Sequence, residues 1–212
     1  MDHDAGLVAD LLLRHDAVKI KTSGEPFVFS SGWASPVFID LKRMISFPDA
    51  RNIIMEKTYD HIERIFNQKK PDMIVGCELA GVPFASLVAD RFHLPLVVAL
   101  KTRRGFGRLA QFEGYFPLNA KALLVDDLTT DGATKTKMAQ GLQIAQAELL
   151  DIFVIFAYET FPQTATVKRL LNLHDIVNFA RAENRIPPHE LSILEDFLRD
   201  APSWSARHGG IG

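Results

Sequence analysis

Short aliphatic runs alternate with helix-like repeats through the middle of the chain. Four runs have the length and composition of buried strands, at 73–75, 96–100, 122–125 and 152–156. Between them, apolar residues recur at helical spacing over 82–92 and 133–148. A short apolar run bounded by polar residues is typical of a strand that is buried on both faces. Because such strands alternate with helices, the pattern predicts an α/β fold with a parallel sheet.

The two ends of the chain carry other patterns. Apolar residues at helical spacing predict helices at 5–15 and 48–67, and again at 165–173, 175–183 and 187–198. Two triplets of aromatic and aliphatic residues, 27–29 and 37–39, flank a turn and predict an antiparallel hairpin. We expect the tail, 203–212, to be loose. Since the sequence contains neither a repeat nor a low-complexity linker, it predicts one domain.

Composition narrows the classes of function. The chain has 212 residues, of which 47% are hydrophobic, enough for the core of a single domain. Its 24 basic and 26 acidic residues nearly cancel, so there is no overall positive field to attract nucleic acid or an anionic membrane. The single cysteine, Cys77, excludes an intramolecular disulfide and a multi-cysteine zinc site. With no signal-like or membrane-spanning stretch, we expect a cytoplasmic protein.

Two adjacent carboxylates follow the third predicted strand. Asp126 and Asp127 fall at its carboxyl end, which borders the ligand crevice in an open α/β sheet. Carboxylates accept hydrogen bonds from paired sugar hydroxyls. The N–H groups of 131–134, at the start of the next helix, are expected to be unpaired and to lie at the positive end of its dipole, which suits a phosphate. These features describe a site for a ribose 5-phosphate. The alternative is an ordinary turn whose Asp and Thr side chains cap the helix.

One residue of this turn fits a phosphate poorly. Asp131 adds negative charge, so its side chain has to turn away, either to cap the helix or to meet Lys135. Gly132 lets the backbone approach a ligand closely, and the hydroxyls of Thr130 and Thr134 add donors.

Two further segments are candidates for holding anions. The loop 76–81 lies between a strand and a helix, where its amides either hold pyrophosphate or form an ordinary connection. The segment 101–114 gathers four cations around two glycines in a slightly acidic chain. It is either a mobile cationic lid, which would suit a reaction that expels a polyanion, or a solvated loop.

Four segments together resemble the orotate phosphoribosyltransferases. V-D-D-L-T-T-D-G-A-T, at 125–134, is similar to the phosphoribosyl pyrophosphate (PRPP) motif of type I phosphoribosyltransferases. G-E-P-F-V-F-S-S-G-W-A-S-P-V-F-I-D, G-C-E-L-A-G-V-P-F-A and K-T-R-R-G-F-G-R-L-A-Q-F-E-G resemble the orotate enzymes in particular, and the resemblance covers roughly 24–160. It implies a central parallel sheet flanked by helices, with a hood from about 15–45, a core over 48–160 and C-terminal helices over 165–200.

The resemblance also implies a role for each matching residue. Lys101 and Arg104 are expected to be catalytic, within a lid that also contains Arg103, Gly105, Gly107 and Arg108. PRPP is expected to contact Asp126, Asp127, Leu128, Thr129, Thr130, Asp131, Gly132, Ala133 and Thr134. Its pyrophosphate is expected at Cys77, Glu78, Leu79, Ala80 and Gly81, and the base at Phe38, Ile39 and Thr130. In this family Mg²⁺ enters with PRPP, held mainly by PRPP and water, and the lid reaches across a homodimer to the neighbour's site.

The sequence departs from the family pattern in its lid. Leu100 stands where relatives commonly have an arginine, Arg104 where they have a second lysine, and Phe106 where they often have a histidine. Arginine keeps the charge of lysine but changes its hydrogen-bond geometry, and phenylalanine cannot carry a proton.

The expected base site departs from the family as well. Ser30 and Tyr158 replace a lysine and an arginine that are expected to meet the orotate carboxylate. The hood amides near Phe38 and Ile39, or the side chains of Lys21 and Arg43, are possible substitutes. Trp33 and Phe38 either stack on a base or are buried aromatics of the hood.

The resemblance favours transfer of a phosphoribosyl group from PRPP to orotate. The alternatives are transfer to another base and a noncatalytic PRPP-binding regulator. We expect no covalent nucleophile, because the sequence offers no persuasive Ser-His-Asp or Cys-His grouping. We expect PRPP and orotate, rather than nucleic acid or membrane, as partners.

Overall fold

The computed structural model describes residues 3–104 and 106–212. Its strands are β1 (Val18–Ile20), β2 (Phe27–Val28), β3 (Ala34–Ser35), β4 (Val37–Ile39), β5 (Met73–Cys77), β6 (Leu96–Ala99), β7 (Phe112–Glu113), β8 (Lys121–Thr129), β9 (Glu148–Ala157) and β10 (Lys168–Asn172). Its α-helices are α1 (His3–Arg14), α2 (Pro48–Phe66), α3 (Val82–Phe92), α4 (Ala133–Ile144), α5 (Leu173–Ala182), α6 (Pro188–Arg199) and α7 (Ala201–Arg207), and a 3-10 helix spans Leu41–Ser46. None of these helices is both long enough and apolar enough to span a bilayer.

A six-stranded sheet in the order β10-β9-β8-β5-β6-β7 forms the centre of the fold. Five strands are parallel, and β7 joins β6 at the edge in the antiparallel direction. Every residue of β5 is buried, because helices cover both faces of the sheet. Leu123 and Val125 pack into the larger apolar cluster, whereas Ala122 and Leu124 point to the cluster under α4. The predicted parallel α/β fold and its four central strands are confirmed.

One predicted helix is a strand, and another is shorter than predicted. Residues 165–173 were expected to be helical, but Lys168–Asn172 form β10, which pairs with β9. The spacing of Val167, Leu170 and Leu171 fits a helix, yet one open sheet edge offers this segment hydrogen bonds along its whole length. The helix predicted over 133–148 ends at Ile144, before β9 begins.

The hood pairs its strands differently from the predicted hairpin. β2 pairs with β3, and β4 pairs with β1, so the triplets 27–29 and 37–39 are not partners. The N–H of Phe29 donates to the carbonyl of Trp33 at 2.9 Å, which closes a short turn. Such a tight turn brings together the residues immediately beside it, leaving β4 to find another partner after Pro36.

The C-terminal tail is ordered against the hood, so the expectation of a loose tail is wrong. Buried Ser205, in α7, accepts a hydrogen bond from the N–H of Ala34 at 2.9 Å and donates one to the carbonyl of Ile211 at 2.5 Å. The N–H of Ile211 donates in turn to the carbonyl of Gly32 at 2.9 Å. These bonds tie the C-terminal tail to the hood.

Candidate active site

A cleft of about 570 Å³ opens at the carboxyl ends of β5 and β8. It is lined by Ser30, Ser31, Lys42, Glu78, Leu79, Ala80, Lys101, Asp126, Asp127, Leu128, Thr129, Thr130, Asp131, Ala133, Thr134, Lys135 and Lys137. The cleft therefore joins the predicted PRPP turn, the pyrophosphate loop, the start of the lid and the hood. A cavity of about 670 Å³ lies elsewhere, between the hood and the C-terminal helices, and no residue of the six-stranded sheet lines it.

The start of α4 presents unpaired backbone donors to this cleft. Within the described part of the chain, the N–H groups of Thr130, Asp131, Thr134 and Lys135 have no acceptor. Four such donors at the positive end of a helix dipole suit a phosphate dianion. They differ in part from the expected N–H groups of 131–134. The N–H groups of Gly132 and Ala133 donate to side chains of the turn itself, those of Thr129 and Asp131.

Asp131 turns away from the cradle and caps the helix. One carboxylate oxygen accepts from the N–H of Ala133 at 3.0 Å, and the other accepts from the indole N–H of Trp33 at 3.1 Å. Of the two outcomes considered from the sequence, capping is the one observed, since Lys135 pairs with another acid. Gly132 has a φ of +82° and packs against the strap 159–167 that follows β9, where an added Cβ would lie 2.8 Å from the N of Ala165.

The two neighbouring acids occupy different environments. Asp126 forms a buried ion pair with Lys135 at 2.5 Å and accepts from the N–H of Asp127 at 2.9 Å. Although burial lowers the pKa of Lys135, the charge of Asp126 raises it above its ordinary value, so the lysine stays protonated. Asp127 has no ion pair among the described residues, and burial followed by the charge of Asp126 raises its pKa to about 7. Asp127 is therefore the acid available to a ligand.

The predicted pyrophosphate loop, residues 77–81, likewise contains residues that line the cleft and residues that do not. Leu79 and Ala80 line the cleft, and their N–H groups have no acceptor in the described structure. Cys77 is buried and Gly81 lies behind the cleft, so neither lines it. A Cβ at Gly81 would lie 2.9 Å from the Cα of Asp126, which shows that glycine here lets β8 approach the loop.

Glu78 links this loop to the lid, residues 101–108. Its carboxylate accepts from the backbone N–H of Lys101 at 2.9 Å and from the guanidinium of Arg104 at 2.9 Å. The Lys101 hydrogen bond, with the charge of Arg104, lowers the pKa of Glu78 below its ordinary value. The structure thus places both expected catalytic residues beside the pyrophosphate loop, with Lys101 in the cleft lining.

Other lid residues have different surroundings. Arg108 donates to the carbonyls of Ala145 and Phe116, both at 2.7 Å, and so fastens the base of the lid. Arg103 and Gly107 are exposed outside the cleft lining, as is Phe106, whereas Leu100 is buried at the base. Gly105 lies outside the described residues.

The expected base-binding residues of the hood do not line the cleft. Ile39 is buried, and its N–H donates to the hydroxyl of Tyr158 at 3.1 Å. Tyr158 also donates to the carbonyl of Val37, so it joins the sheet to the hood rather than facing a ligand. Phe38 packs on Phe27 with 5.6 Å between ring centroids. Thr130 is the one member of the expected base set that lines the cleft.

The possible substitutes named from the sequence also point elsewhere. Lys21 donates to the carbonyl of Glu25, and Arg43 donates to the carbonyl of His15. Trp33 is buried and stacks on Phe161, so its structural role is the one observed. Sequence reasoning missed Ser31, Lys42 and Lys137, which line the cleft instead. Ser31 and Lys42 lie in or next to the matched hood segment, but only the fold shows which side chains of the hood reach the cleft.

The acids of the cleft suit a metal ion that takes most of its ligands from its substrate and from water. Among the described residues there is no cluster of three His, Cys, Asp or Glu that could hold a metal ion. Mg²⁺ usually takes one or two protein carboxylates and fills its other positions with water and substrate phosphates. Asp127, beside the free amides of Leu79 and Ala80, fits that arrangement.

Comparison with known proteins identifies the family. The phosphoribosyl transferase domain family matches residues 48–181. An orotate phosphoribosyltransferase of Dinoroseobacter shibae is 36% identical over 212 residues, covering 96% of this chain and 93% of that protein. This chain belongs to the orotate phosphoribosyltransferase family. The orotate phosphoribosyltransferase of Rhizobium etli (strain CIAT 652) is also 36% identical, over 98% of the chain and 93% of the relative.

Several solved structures share the fold of this chain. Leishmania donovani UMP synthase superposes with a TM-score of 0.77 at 23% identity over 92% of this chain, which spans 42% of that protein's length. Orotate phosphoribosyltransferase from Aeropyrum pernix gives a TM-score of 0.67 at 23% identity, over 81% of this chain and 96% of that one. An adenine phosphoribosyltransferase also superposes, with a TM-score of 0.60. The fold alone therefore does not identify the base that this protein uses.

Proposed function

We propose that this protein transfers the 5-phosphoribosyl group of PRPP to orotate, giving orotidine 5′-phosphate and pyrophosphate, in the synthesis of UMP. One observation carries the proposal: acids for a ribose, free amides for two phosphate groups and the first lysine of a cationic lid converge on a single cleft. The family of the chain supports orotate as the base, because its curated relatives of about this length are orotate phosphoribosyltransferases.

Substrate binding follows from the groups that face the cleft. The 5-phosphate of PRPP accepts hydrogen bonds from the free N–H groups at the start of α4, while Asp127 accepts from the ribose hydroxyls. The diphosphate lies against the amides of Leu79 and Ala80. Asp126 acts mainly through its ion pair with Lys135, which fixes the end of β8 and hence the direction of Asp127.

Bond cleavage is assisted by charge and position rather than by an enzyme nucleophile. As the bond from C1 of the ribose to pyrophosphate breaks, positive charge builds on C1 and a nitrogen of the base adds to the opposite face. Lys101 and Arg104 supply positive charge to the departing pyrophosphate, with Arg104 leaving Glu78 to do so. The altered lid keeps the charge of its relatives at Arg104, and Phe106 takes no part in proton transfer.

Metal, assembly and location complete the proposal. Asp127 would hold the Mg²⁺ that enters with PRPP, and the ion would supply positive charge to the diphosphate. The protein works as a homodimer in which the lid of one subunit reaches the cleft of the other, and it works in the cytoplasm. The exposed lid supports the shared site, since the side chain of Phe106 is fully exposed and that of Arg104, although paired with Glu78 of the same chain, is 62% exposed.

An assay with single bases tests the function and separates the alternatives. The protein is mixed with PRPP, MgCl₂ and either orotate, uracil, adenine or hypoxanthine, and pyrophosphate release is followed. Of these four bases, we expect only orotate to give pyrophosphate release. Release with a different base instead would assign another phosphoribosyltransferase activity. PRPP binding in a titration, without release for any base, would instead indicate a regulator.

A further inference from the structure

An anionic base needs a positively charged side chain near it, and most of the lysines in the cleft already have another role. The lysines in its lining are Lys42, Lys101, Lys135 and Lys137. Lys135 is buried and donates to Asp126 and to the carbonyl of Leu128. Lys101 begins the lid beside the pyrophosphate loop, and Lys137 lies on α4, whose start is the phosphate site. Lys42 is therefore the one lysine that the hood contributes to the lining of this cleft.

The surroundings of Lys42 leave its ammonium group able to bind a ligand. Lys42 lies in the 3-10 helix that follows β4, and its side chain is 52% exposed. Its nearest carboxylate oxygen, on Asp40, is 3.7 Å away, too far for a strong hydrogen bond. The ammonium lies 5.6 Å from the centre of the Phe38 ring. The charge thus has a long ion pair with Asp40, but its N–H groups make no hydrogen bond within the described part of the chain.

A second observation points to a ligand at the hood part of the cleft. The hydroxyl oxygen of Ser31 is buried and has no hydrogen-bond partner among the described residues. Ser31 also lines the cleft, next to the Ser30 that replaces the lysine of the family pattern. Buried hydroxyls are nearly always paired, because an unpaired one costs about 1–3 kcal/mol. A ligand acceptor in the hood would complete this pairing.

We propose that Lys42 and the hydroxyl of Ser31 form the subsite that recognises the carboxylate of the base. The inference deepens the proposed function and rests on it. Lys42 supplies the charge and Ser31 supplies a directed hydrogen bond, so the pair favours a carboxylate-bearing pyrimidine over uncharged bases. The subsite replaces cations of the family pattern, since Ser30 carries no charge and Tyr158 is buried against the hood.

Steady-state kinetics of four variants test the subsite. Lys42→Ala should raise the KM for orotate about 10- to 100-fold and leave the KM for PRPP within about 2-fold, as expected for loss of a charge-assisted hydrogen bond. Lys42→Arg keeps the charge and should recover most of the affinity. Ser31→Ala should raise the orotate KM about 3- to 10-fold. Arg43→Ala is the matched control, because its guanidinium donates to the carbonyl of His15 outside the cleft.

The outcomes separate this inference from the function on which it rests. If wild type releases pyrophosphate with orotate and Lys42→Ala has an unchanged orotate KM, the subsite is wrong and the function stands. Equal increases in both KM values would also overturn it, because they would indicate a general disturbance of the cleft. If folded wild type shows no reaction with orotate, the proposed function fails and the subsite fails with it. Uracil adds a check: its inhibition constant against orotate should be the same in wild type and Lys42→Ala.

Discussion

At the scale of single residues, the environment gives two adjacent acids different tasks. Asp126 is bound to Lys135 and to a backbone N–H, whereas Asp127 has no ion pair in the described structure. Removing the charge of Asp126 would leave Lys135 buried without its partner, which typically costs about 3–5 kcal/mol. A double substitution of Asp126 and Asp127 would therefore confound ligand binding with stability.

Asp127→Asn is the cleaner probe of ribose binding. The amide keeps the shape of the side chain but offers one acceptor oxygen where the carboxylate has two, so we expect PRPP affinity to fall about 10- to 100-fold. Isothermal titration with PRPP and Mg²⁺ measures this, and thermal unfolding checks that the fold remains. Unchanged PRPP affinity in the folded variant would remove Asp127 from the ribose site.

The raised pKa of Asp127 also predicts a dependence of stability on pH. The folded group has a pKa of about 7, against about 3.9 in an unfolded chain, so between these values the folded state binds more protons. Its favourable contribution is complete below about pH 4 and is lost as the pH rises through 7. Between pH 5 and pH 8, the free energy of unfolding of wild type should fall by about 2–3 kcal/mol relative to Asp127→Asn. Urea unfolding at both pH values measures the difference, and parallel behaviour of the two proteins would contradict the buried, protonated state.

At the scale of elements, the lid and the pyrophosphate loop act as a pair joined by Glu78. If Lys101 and Arg104 meet pyrophosphate mainly as it departs, they stabilise the transition state more than bound PRPP. Lys101→Ala should then lower kcat about 10²- to 10³-fold, with a smaller rise in the KM for PRPP. Arg103→Ala is the matched control, since Arg103 is exposed outside the cleft lining. Full activity in Lys101→Ala combined with Arg104→Ala would rule out a catalytic lid.

Elements also show how far the sequence alone can reach. The central strands and the turn of Asp126 to Thr134 were predictable, because the burial of a strand and the chemistry of a short motif depend on residues that are neighbours in the sequence. The pairing in the hood was not, since Phe27–Phe29 and Val37–Ile39 are equally apolar and only the closed turn at Trp33 sets the register. The same holds for β10, whose residues become a strand because of a sheet edge formed far away in the sequence.

The site was predictable to the same degree. Its phosphate and ribose parts lie within one continuous segment, but the hood part depends on tertiary packing. Tyr158 occupies the N–H of Ile39, and the 3-10 helix carries Lys42 into the cleft lining, which no spacing along the chain reveals.

At the scale of the whole molecule, the proposed homodimer predicts that two damaged sites can repair each other. If the lid crosses between subunits, mixing Lys101→Ala with Asp127→Asn should create dimers with one site that has both an intact lid and an intact acid. Random exchange should restore up to about a quarter of wild-type activity, because half of the dimers are mixed and each has one intact site. Orotidine 5′-phosphate formation measures the recovery. No recovery, with exchange verified by tagged subunits, would contradict the shared site.

The most direct measurement is a crystal structure with orotidine 5′-phosphate, which carries the phosphate, ribose and base in one molecule. The account predicts the phosphate at the free N–H groups of Thr130, Asp131, Thr134 and Lys135. It predicts the ribose hydroxyls at Asp127 and the base carboxylate at Lys42 and Ser31. A nucleotide bound elsewhere, or bound in this cleft with its phosphate away from the start of α4, would contradict the assignment of the active site.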